Sequence, residues 1–347
     1  MSDDWREYPD QELVGSNEDD DVYRKKLHFW ITWNEFLLLG SHDLLGRFSD
    51  TLPVAFMVQT RVSLQVDGQD VFCNAILETR TRATFIIDRL LSERGTGEEK
   101  RMIYRIFRNT TKTCFVLKEC SILYKKEFVI QAILGTFDHP HVLKILHYFE
   151  TGPRIYAVLP YATTDLSNYI AIRRGAVLQE AELLDYLSQM SSALNHLFKL
   201  GIVHCDVSCD NFLIMPDGSL KLADFGWAHL VTDIETRFPG PYGKHSYMAP
   251  ELFSSCLEKG SPGFDPFAAD IWSLGVCALM MTLCTSRPLW HVPTPTNKCF
   301  MVVLRSYKGG VSYLLSKGSW CQSSDVLSRI ETLLIINPND RKKAYLK

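Results

Sequence analysis

The chain has 347 residues, room for one large two-lobed domain or two modest ones, and its 46% hydrophobic content is enough to bury a real core. A formal net charge of −3 excludes the global basic surface expected of a nucleic-acid binder. The 10 cysteines show no paired zinc-ligand spacing, which predicts reduced thiols in an intracellular protein of the cytoplasm or nucleus, and the acidic start lacks the apolar core of a signal peptide.

Residues 1–26 read as an acidic disordered tail, a solvated leader rather than a docking peptide. Residues 27–84 read as an N-terminal extension, partly β. Its first part, LHFWITWNEFLLLG, is aromatic-rich and suited to packing on the body that follows. Further on, VSLQVDGQDVFCNAILE alternates apolar residues around Asp67-Gly68, a strong hairpin signal. That hairpin is either a small accessory element or an elaboration of the next sheet.

From Phe85 the pattern becomes that of a folded domain. FIIDRLLSERGTGEEK is a strand running into a glycine-containing turn, and FVLK is a strand ending at Lys118. KKEFVIQAILGTF places apolar residues at helical spacing, with Glu127 its only acid. IYAVLPYATTDLSNYI is a further strand that passes Leu159 and Ala162 before Asp165 opens a helix. LLDYLSQMSSALNHLFKLGIV is a long amphipathic helix stopped at Gly201.

The stretch HCDVSCDNFLIMPDGSLKLADFG, His204 to Gly226, carries the chemistry. NFLIM and LKLAD read as two short strands joined by a Pro-Asp-Gly-Ser turn. Asp206 and Asn211 precede the first strand and Asp224 closes the second, so all three converge on one spot. Two carboxylates and an amide are hard oxygen ligands that suit Mg²⁺ better than zinc. A magnesium site beside a spare carboxylate is what phosphoryl transfer needs.

HCDVSCDN followed by DFG resembles the catalytic loop and magnesium loop of the eukaryotic protein kinases. Other stretches follow in that family's order: Met248-Ala249-Pro250-Glu251, ADIWSLGV, and Arg341 in INPNDRKKA. The resemblance covers residues 85–347. It implies an α+β, bilobal protein kinase fold, with a small β-rich lobe over 85–162 and a mainly helical lobe over 163–347 that ends without a C-terminal tail. It implies ATP and Mg²⁺ as cofactors and serine or threonine hydroxyls of protein substrates as acceptors. Asp206 would be the catalytic base, Asn211 and Asp224 the metal ligands, and His204 a support for the Asp224-Phe225-Gly226 backbone. Lys118 would bind the α- and β-phosphates, oriented by Glu127. Leu91, Gly95 and Gly97 would belong to the nucleotide-covering loop. Leu159 would be the gatekeeper, Pro160 to Ala162 would pair with adenine, and Asp165 would face the ribose or cap the next helix. Asp270 would cap the catalytic-loop backbone, and Arg341 would pair with Glu251. The wording VLPYATTDL is also similar to hinges in herpesvirus serine/threonine kinases.

The sequence departs from the family at several points. Laid on the family's glycine loop, Ser92 and Arg94 replace the first two glycines and only Gly97 matches; counting back from Lys118 instead puts Ile103 at the valine, so the two alignments differ by a four-residue insertion. Cys205 replaces the arginine that binds an activation-loop phosphate, which implies activity independent of that phosphorylation. Ser208 replaces the lysine that contacts the γ-phosphate, while Lys244 stands at the threonine position before the APE motif. Lys244 either restores the missing ammonium or is a solvated loop residue. Tyr242, Ser246 and Tyr247 are available for modification without singling themselves out. Asp210 occupies the place of the tyrosine-kinase arginine, which favours serine/threonine acceptors. A pseudokinase scaffold is the rival reading, supported by the degraded glycine loop, Cys205 and Ser208, and opposed by the intact Lys118, Asp206, Asn211 and Asp224. The apolar runs FLLLG and GVCALMMTLC are too short to span a bilayer. Nothing in the pattern speaks to oligomeric state.

Overall fold

The computed structural model describes residues 57–66, 69–78, 84–173, 178–231, 236–257, 263–294, 297–305 and 323–347. All of them belong to the unit formed by residues 53–347. The expected acidic tail, the aromatic stretch from Leu27 to Gly40 and the Asp67-Gly68 turn lie outside the described residues.

The first lobe is one antiparallel sheet. Its strands are β1 (Met57–Val66), β2 (Gln69–Glu78), β3 (Thr84–Arg94), β4 (Arg101–Arg108), β5 (Cys114–Ser121), β6 (His147–Thr151) and β7 (Arg154–Pro160), in the order β1-β2-β3-β4-β5-β7-β6. β1 and β2 pair over their full length, Met57 opposite Glu78 through Val66 opposite Gln69. Three residue pairs, Ala75–Ile86 to Leu77–Thr84, join that hairpin to β3. The hairpin of the extension is therefore the outer part of the lobe's own sheet, and position 85 falls inside β3.

One face of the sheet buries Phe85, Ile106, Leu117, Phe149, Tyr156 and Val158, with Ile87, Tyr104 and Phe115 packed against them. Ile106 and Val158 are fully buried, so each withdraws its whole side chain from water, about 1.5–3 kcal/mol apiece. Truncating Ile106 to alanine would add a cavity cost, for a total of about 2–5 kcal/mol.

After β5 the chain turns through Ile122–Tyr124, where Ser121 accepts the Leu123 N–H, and enters α1 (Lys125–Thr136). That tight turn explains how Glu127, only nine positions beyond Lys118, reaches back to it. β8 (Thr164–Asp165) leads to α2 (Leu166–Ile172), and Asp165 Oδ1 accepts the Asn168 N–H at 2.8 Å. Of its two expected roles, Asp165 takes the helix cap.

The second lobe is built on two helices. α3 (Glu180–Lys199) buries Leu183, Tyr186, Leu187, Met190, Ala193, Leu194 and Leu197, a single stripe at helical spacing. It ends at Gly201, whose φ of +68° lets its N–H close on Phe198 O. After α4 (Pro250–Leu257) comes α5 (Pro266–Leu283), capped by Asp265 with Pro266 at its first turn. Every residue of α5 from Pro266 to Thr282 is buried. By length and composition this helix is apolar enough to cross a membrane, yet 94% of it is buried within the protein, so its hydropathy is that of a core helix. The apolar run GVCALMMTLC is the second half of it.

α6 (Lys298–Arg305), α7 (Ser324–Leu333) and α8 (Pro338–Tyr345) complete the lobe. Trp272 packs with Trp290 and Phe300 at ring separations of 6.3 and 6.2 Å. Gly275 admits α7: a Cβ there would stand 2.7 Å from Leu334 Cδ2. Arg341 is completely buried and donates to Ala268 O, Ile335 O and Glu251 Oε1, tying α8 to α5 and α4.

Candidate active site

The catalytic stretch begins where β9 (Ile202–Val203) pairs with β12 (His229–Leu230). Immediately after β9, Asp270 from α5 accepts two backbone N–H groups, from His204 at 2.7 Å and from Cys205 at 2.9 Å. Cys205 sits at φ +60°, a left-handed conformation that a non-glycine residue adopts only when its surroundings impose it. The two bonds to Asp270 are that imposition. Burial pushes the Asp270 carboxyl up to about 7, against the pull of the same two bonds.

His204 is fully buried and donates from Nε2 to Ala223 O at 3.0 Å, because a carbonyl can only accept. Its Nδ1 is then the acceptor for the Asp206 N–H at 3.3 Å. Burial keeps this imidazole below the usual histidine range, consistent with the neutral ring that both bonds require. Its backbone support falls on Ala223, one residue before the expected Asp224-Phe225-Gly226 stretch, while its ring meets the buried Phe225 edge-on at 5.1 Å.

β10 (Phe212–Ile214) and β11 (Leu220–Leu222) form the expected hairpin, with Phe212 opposite Leu222. It returns the chain to the loop, where Ala223 N bonds Asn211 O at 2.8 Å. Asn211 Nδ2 donates to Asp206 O at 2.7 Å and to Asp206 Oδ2 at 2.9 Å. The amide's donor end is thereby spent on Asp206, and its oxygen is the end left to act as a ligand. Asp224 takes φ +62° as the strand ends.

Lys118 joins the two lobes. It is paired with Ala157 in the neighbouring strand and with Ile103 on the other side. Its ammonium donates to Glu127 Oε1 and lies 3.3 Å from Asp224 Oδ1. Burial alone would lower the Lys118 pKa, but the two carboxylates outweigh it and hold the ammonium charged. Lys118 in turn holds the Asp224 carboxyl down at about 2, against burial. Burial lifts the Asp206 carboxyl above the ordinary aspartate range, while Lys244, His204 and the Asn211 amide oppose that rise. The two aspartates are thus pushed in opposite directions, one toward accepting a proton and one toward permanent charge.

Lys244 is drawn to the catalytic loop. Its Nζ donates to Ser208 Oγ at 2.8 Å and to Asp210 Oδ2 at 2.6 Å. The approach depends on Gly243, at φ +74°, where a Cβ would stand 2.6 Å from Cys205 O and 3.3 Å from Asp206 Oδ1.

Around this point the chain builds an aromatic cluster that has no signature in the sequence. His229, Phe238, Tyr242 and Phe264 meet at ring separations of 5.1 to 6.2 Å. Phe238 and Phe264 also exchange both backbone hydrogen bonds at 3.0 Å. Lys126 of α1 donates to His229 Nδ1 at 3.1 Å. Burial, then Lys126, hold the His229 pKa down at about 4. Tyr247, one of the three residues considered for modification, is buried and bonds Met280 Sδ through its hydroxyl at 3.1 Å.

The residues expected to cover the nucleotide lie on the β3–β4 hairpin. Leu91 is exposed near the end of β3, and the turn runs from Gly95 to Lys100. Gly95 takes φ +77° and a Cβ there would meet Glu99 O at 2.8 Å, so the turn itself demands glycine. Gly97, at φ +58°, faces open space, which leaves its backbone approachable by a ligand. No hydrogen bond among the described residues joins Leu91, Gly95 or Gly97 to Lys118, Asp206 or Asp224. Leu159 is buried in β7 opposite Val116, and Ala162 follows that strand.

The donor set fits magnesium with nucleotide phosphate. Among the described residues no group of three or more His, Cys, Asp or Glu side chains could hold a metal alone. Asp224 and Asn211 offer one carboxylate and one amide oxygen, the sparse protein share that Mg²⁺ takes when phosphates and waters supply the rest.

Residues 93–345 match the family described as the protein kinase domain. The chain is 31% identical over 287 residues to the carbon catabolite-derepressing protein kinase of Candida glabrata, a match covering 82% of this chain and 42% of that protein. It is 28% identical over 297 residues to the serine/threonine-protein kinase cds1 of Schizosaccharomyces pombe, covering 83% of this chain and 61% of that protein. It is 27% identical over 213 residues to the serine/threonine-protein kinase Nek1 of Mus musculus, covering 60% of this chain and 16% of that protein. The chain spans less than two thirds of the length of each of these relatives, none of which is viral.

Proposed function

The chain belongs to the protein kinase family, and from that premise we propose that it is an active enzyme transferring the γ-phosphate of ATP to serine and threonine hydroxyls of proteins. The observation that carries this reading is the double engagement of Lys118, bonded to Glu127 and 3.3 Å from Asp224. In kinases, phosphoryl transfer requires that lysine–glutamate pair and the metal-binding aspartate together. A scaffold under no catalytic demand has little physical reason to keep both, with Asp206 held by Asn211 beside them.

In this reading Asp206 accepts the proton of the acceptor hydroxyl, its raised pKa suiting a base that must take a proton and return it. Lys118 holds the α- and β-phosphates. Asp224 and Asn211 would hold Mg²⁺, which supplies charge neutralisation on the phosphates when bound. The β3–β4 turn covers the nucleotide through Gly95 and Gly97, with Leu91 beside it, and Leu159 to Ala162 receive the adenine. Asp210, where a tyrosine kinase has arginine, and the serine/threonine names of the relatives favour serine and threonine as acceptors. Cys205 leaves an activation-loop phosphate without its usual arginine, and the aromatic cluster stands in its place, so activity does not wait on that modification. The free cysteines suit an intracellular setting.

Acid hydrolysis of proteins phosphorylated by the chain with labelled ATP tests the acceptor class. Phosphoserine and phosphothreonine are expected; phosphotyrosine as the main product would overturn it.

A further inference from the structure

Lys244 belongs to the activation segment, yet its ammonium lies among catalytic-loop side chains, on Ser208 Oγ at 2.8 Å and Asp210 Oδ2 at 2.6 Å. Ser208 is the position at which kinases resembling this chain carry their γ-phosphate lysine. The exchange is spatial as well as sequential: the lysine missing from one side of this contact is present on the other. An ammonium has three N–H donors, and two are used here, leaving the third for a phosphate oxygen. Gly243 brings the segment against Asp206, where a Cβ would stand 3.3 Å from Oδ1.

We infer that Lys244 supplies, from the activation segment, the γ-phosphate ammonium that the catalytic loop lacks at Ser208, so that seating the segment and completing the catalytic site are one event. This rests on the phosphotransfer reading above. The chemistry balances without a new reactant. The bond from the γ-phosphorus to the β–γ bridging oxygen breaks, ADP leaves with its electrons, the acceptor oxygen bonds the phosphorus, and its proton goes to Asp206. Lys244 exchanges no proton; as a point charge it neutralises the phosphoryl oxygens and can act from a different backbone position than usual.

The seat of the segment is visible. Phe238 and Phe264 exchange backbone hydrogen bonds at 3.0 Å, and Tyr242 packs its ring on His229 at 5.2 Å. Lys244 itself is 39% exposed at the side chain, so replacing it opens no core.

The test compares kcat, ATP KM and melting temperature for the full chain, Lys244→Thr, and the reciprocal exchange Ser208→Lys with Lys244→Thr. Lys244→Thr is expected to lower kcat about 10²–10³-fold while ATP KM stays within about threefold. The exchange is expected to regain at least about tenfold of that loss, because it moves the ammonium onto the catalytic loop. Adding Phe238→Ala should then cost the wild-type arrangement more kcat than it costs the exchange. A Lys244→Thr variant within about threefold of wild-type kcat overturns the inference. So does an exchange variant that melts like the wild type and is no faster than Lys244→Thr. Equal losses from Phe238→Ala in both backgrounds overturn the coupling to the segment. Failure of the phosphotransfer reading looks different, since the wild type would then show no turnover at all.

Discussion

Asp270 Oδ1 accepts the backbone N–H of Cys205 at 2.9 Å and so holds the residue before Asp206 in a left-handed conformation. A carboxylate near the start of the buried helix α5 is costly unless both oxygens are used, and here the second takes the His204 N–H. Asp270→Asn keeps the shape but replaces one acceptor with a donor facing an N–H. It should cost about 1–3 kcal/mol in denaturant unfolding and lower kcat, because the base loses its fixed position. Unchanged stability and kcat would show that the loop holds itself.

Arg341 and Lys144 make ion pairs of very different weight. Arg341 is wholly buried and serves Glu251 and three carbonyls, whereas the Lys144–Asp138 pair is 45% and 70% exposed. Arg341→Ala leaves the half-buried Glu251 without its partner and empties a fully buried site, and should destabilise by about 3–5 kcal/mol. Lys144→Ala should change stability by less than about 1 kcal/mol. Chemical denaturation of both variants checks the contrast.

The aromatic seat predicts how activity responds to phosphate removal. Treatment with a phosphatase should leave kcat unchanged, whereas Tyr242→Ala, which removes the ring touching His229, Phe238 and Phe264, should lower it. Activity lost on dephosphorylation and spared by Tyr242→Ala would reverse the assignment.

The buried histidines should subtract from stability as the solution is acidified below neutrality. Burial, followed by neighbouring positive groups, holds His139 and His229 down at about 4, and burial keeps His196 and His204 low as well. At these rings the unfolded chain takes up protons that the folded chain refuses as pH falls from 6.5 toward 4. This contribution is complete above that window and is lost within it. Asp224, held at about 2, loses its contribution only below the ordinary 3.8. Asp270, pushed up to about 7, works the other way, because the folded chain protonates it where the unfolded aspartate stays charged. The histidine contribution is therefore read as a difference: between about pH 6.5 and pH 4 the melting temperature of a His139→Gln, His229→Gln variant should fall less than that of the wild type. An equal fall in the variant and the wild type would mean that these rings are solvated.

The catalytic spacing was legible because each motif places its own residues locally: Asp206 to Asn211 lies within one loop, and one tight hairpin delivers Asp224. Glu127 stands only nine positions beyond Lys118, and the turn at Ile122–Tyr124 makes that reach possible by starting α1 directly after β5. The Lys126–His229 contact and the aromatic cluster left no trace, since they draw single residues from separate elements with no periodic pattern between them. The extension hairpin showed its own strands clearly. Its attachment to the next strand, β3, rests on only three residue pairs made by backbone groups, which leave no mark on residue type.

The most direct measurement is phosphate transfer from labelled ATP with Mg²⁺ to generic protein acceptors and to the chain itself, for the wild type beside Asp206→Asn. Incorporation by the wild type is expected, falling at least about 10²-fold in the variant, the loss that follows removal of a general base. Incorporation no greater than the variant's across several acceptors, with Mn²⁺ as well as Mg²⁺, would contradict it and make the chain a scaffold with a kinase fold.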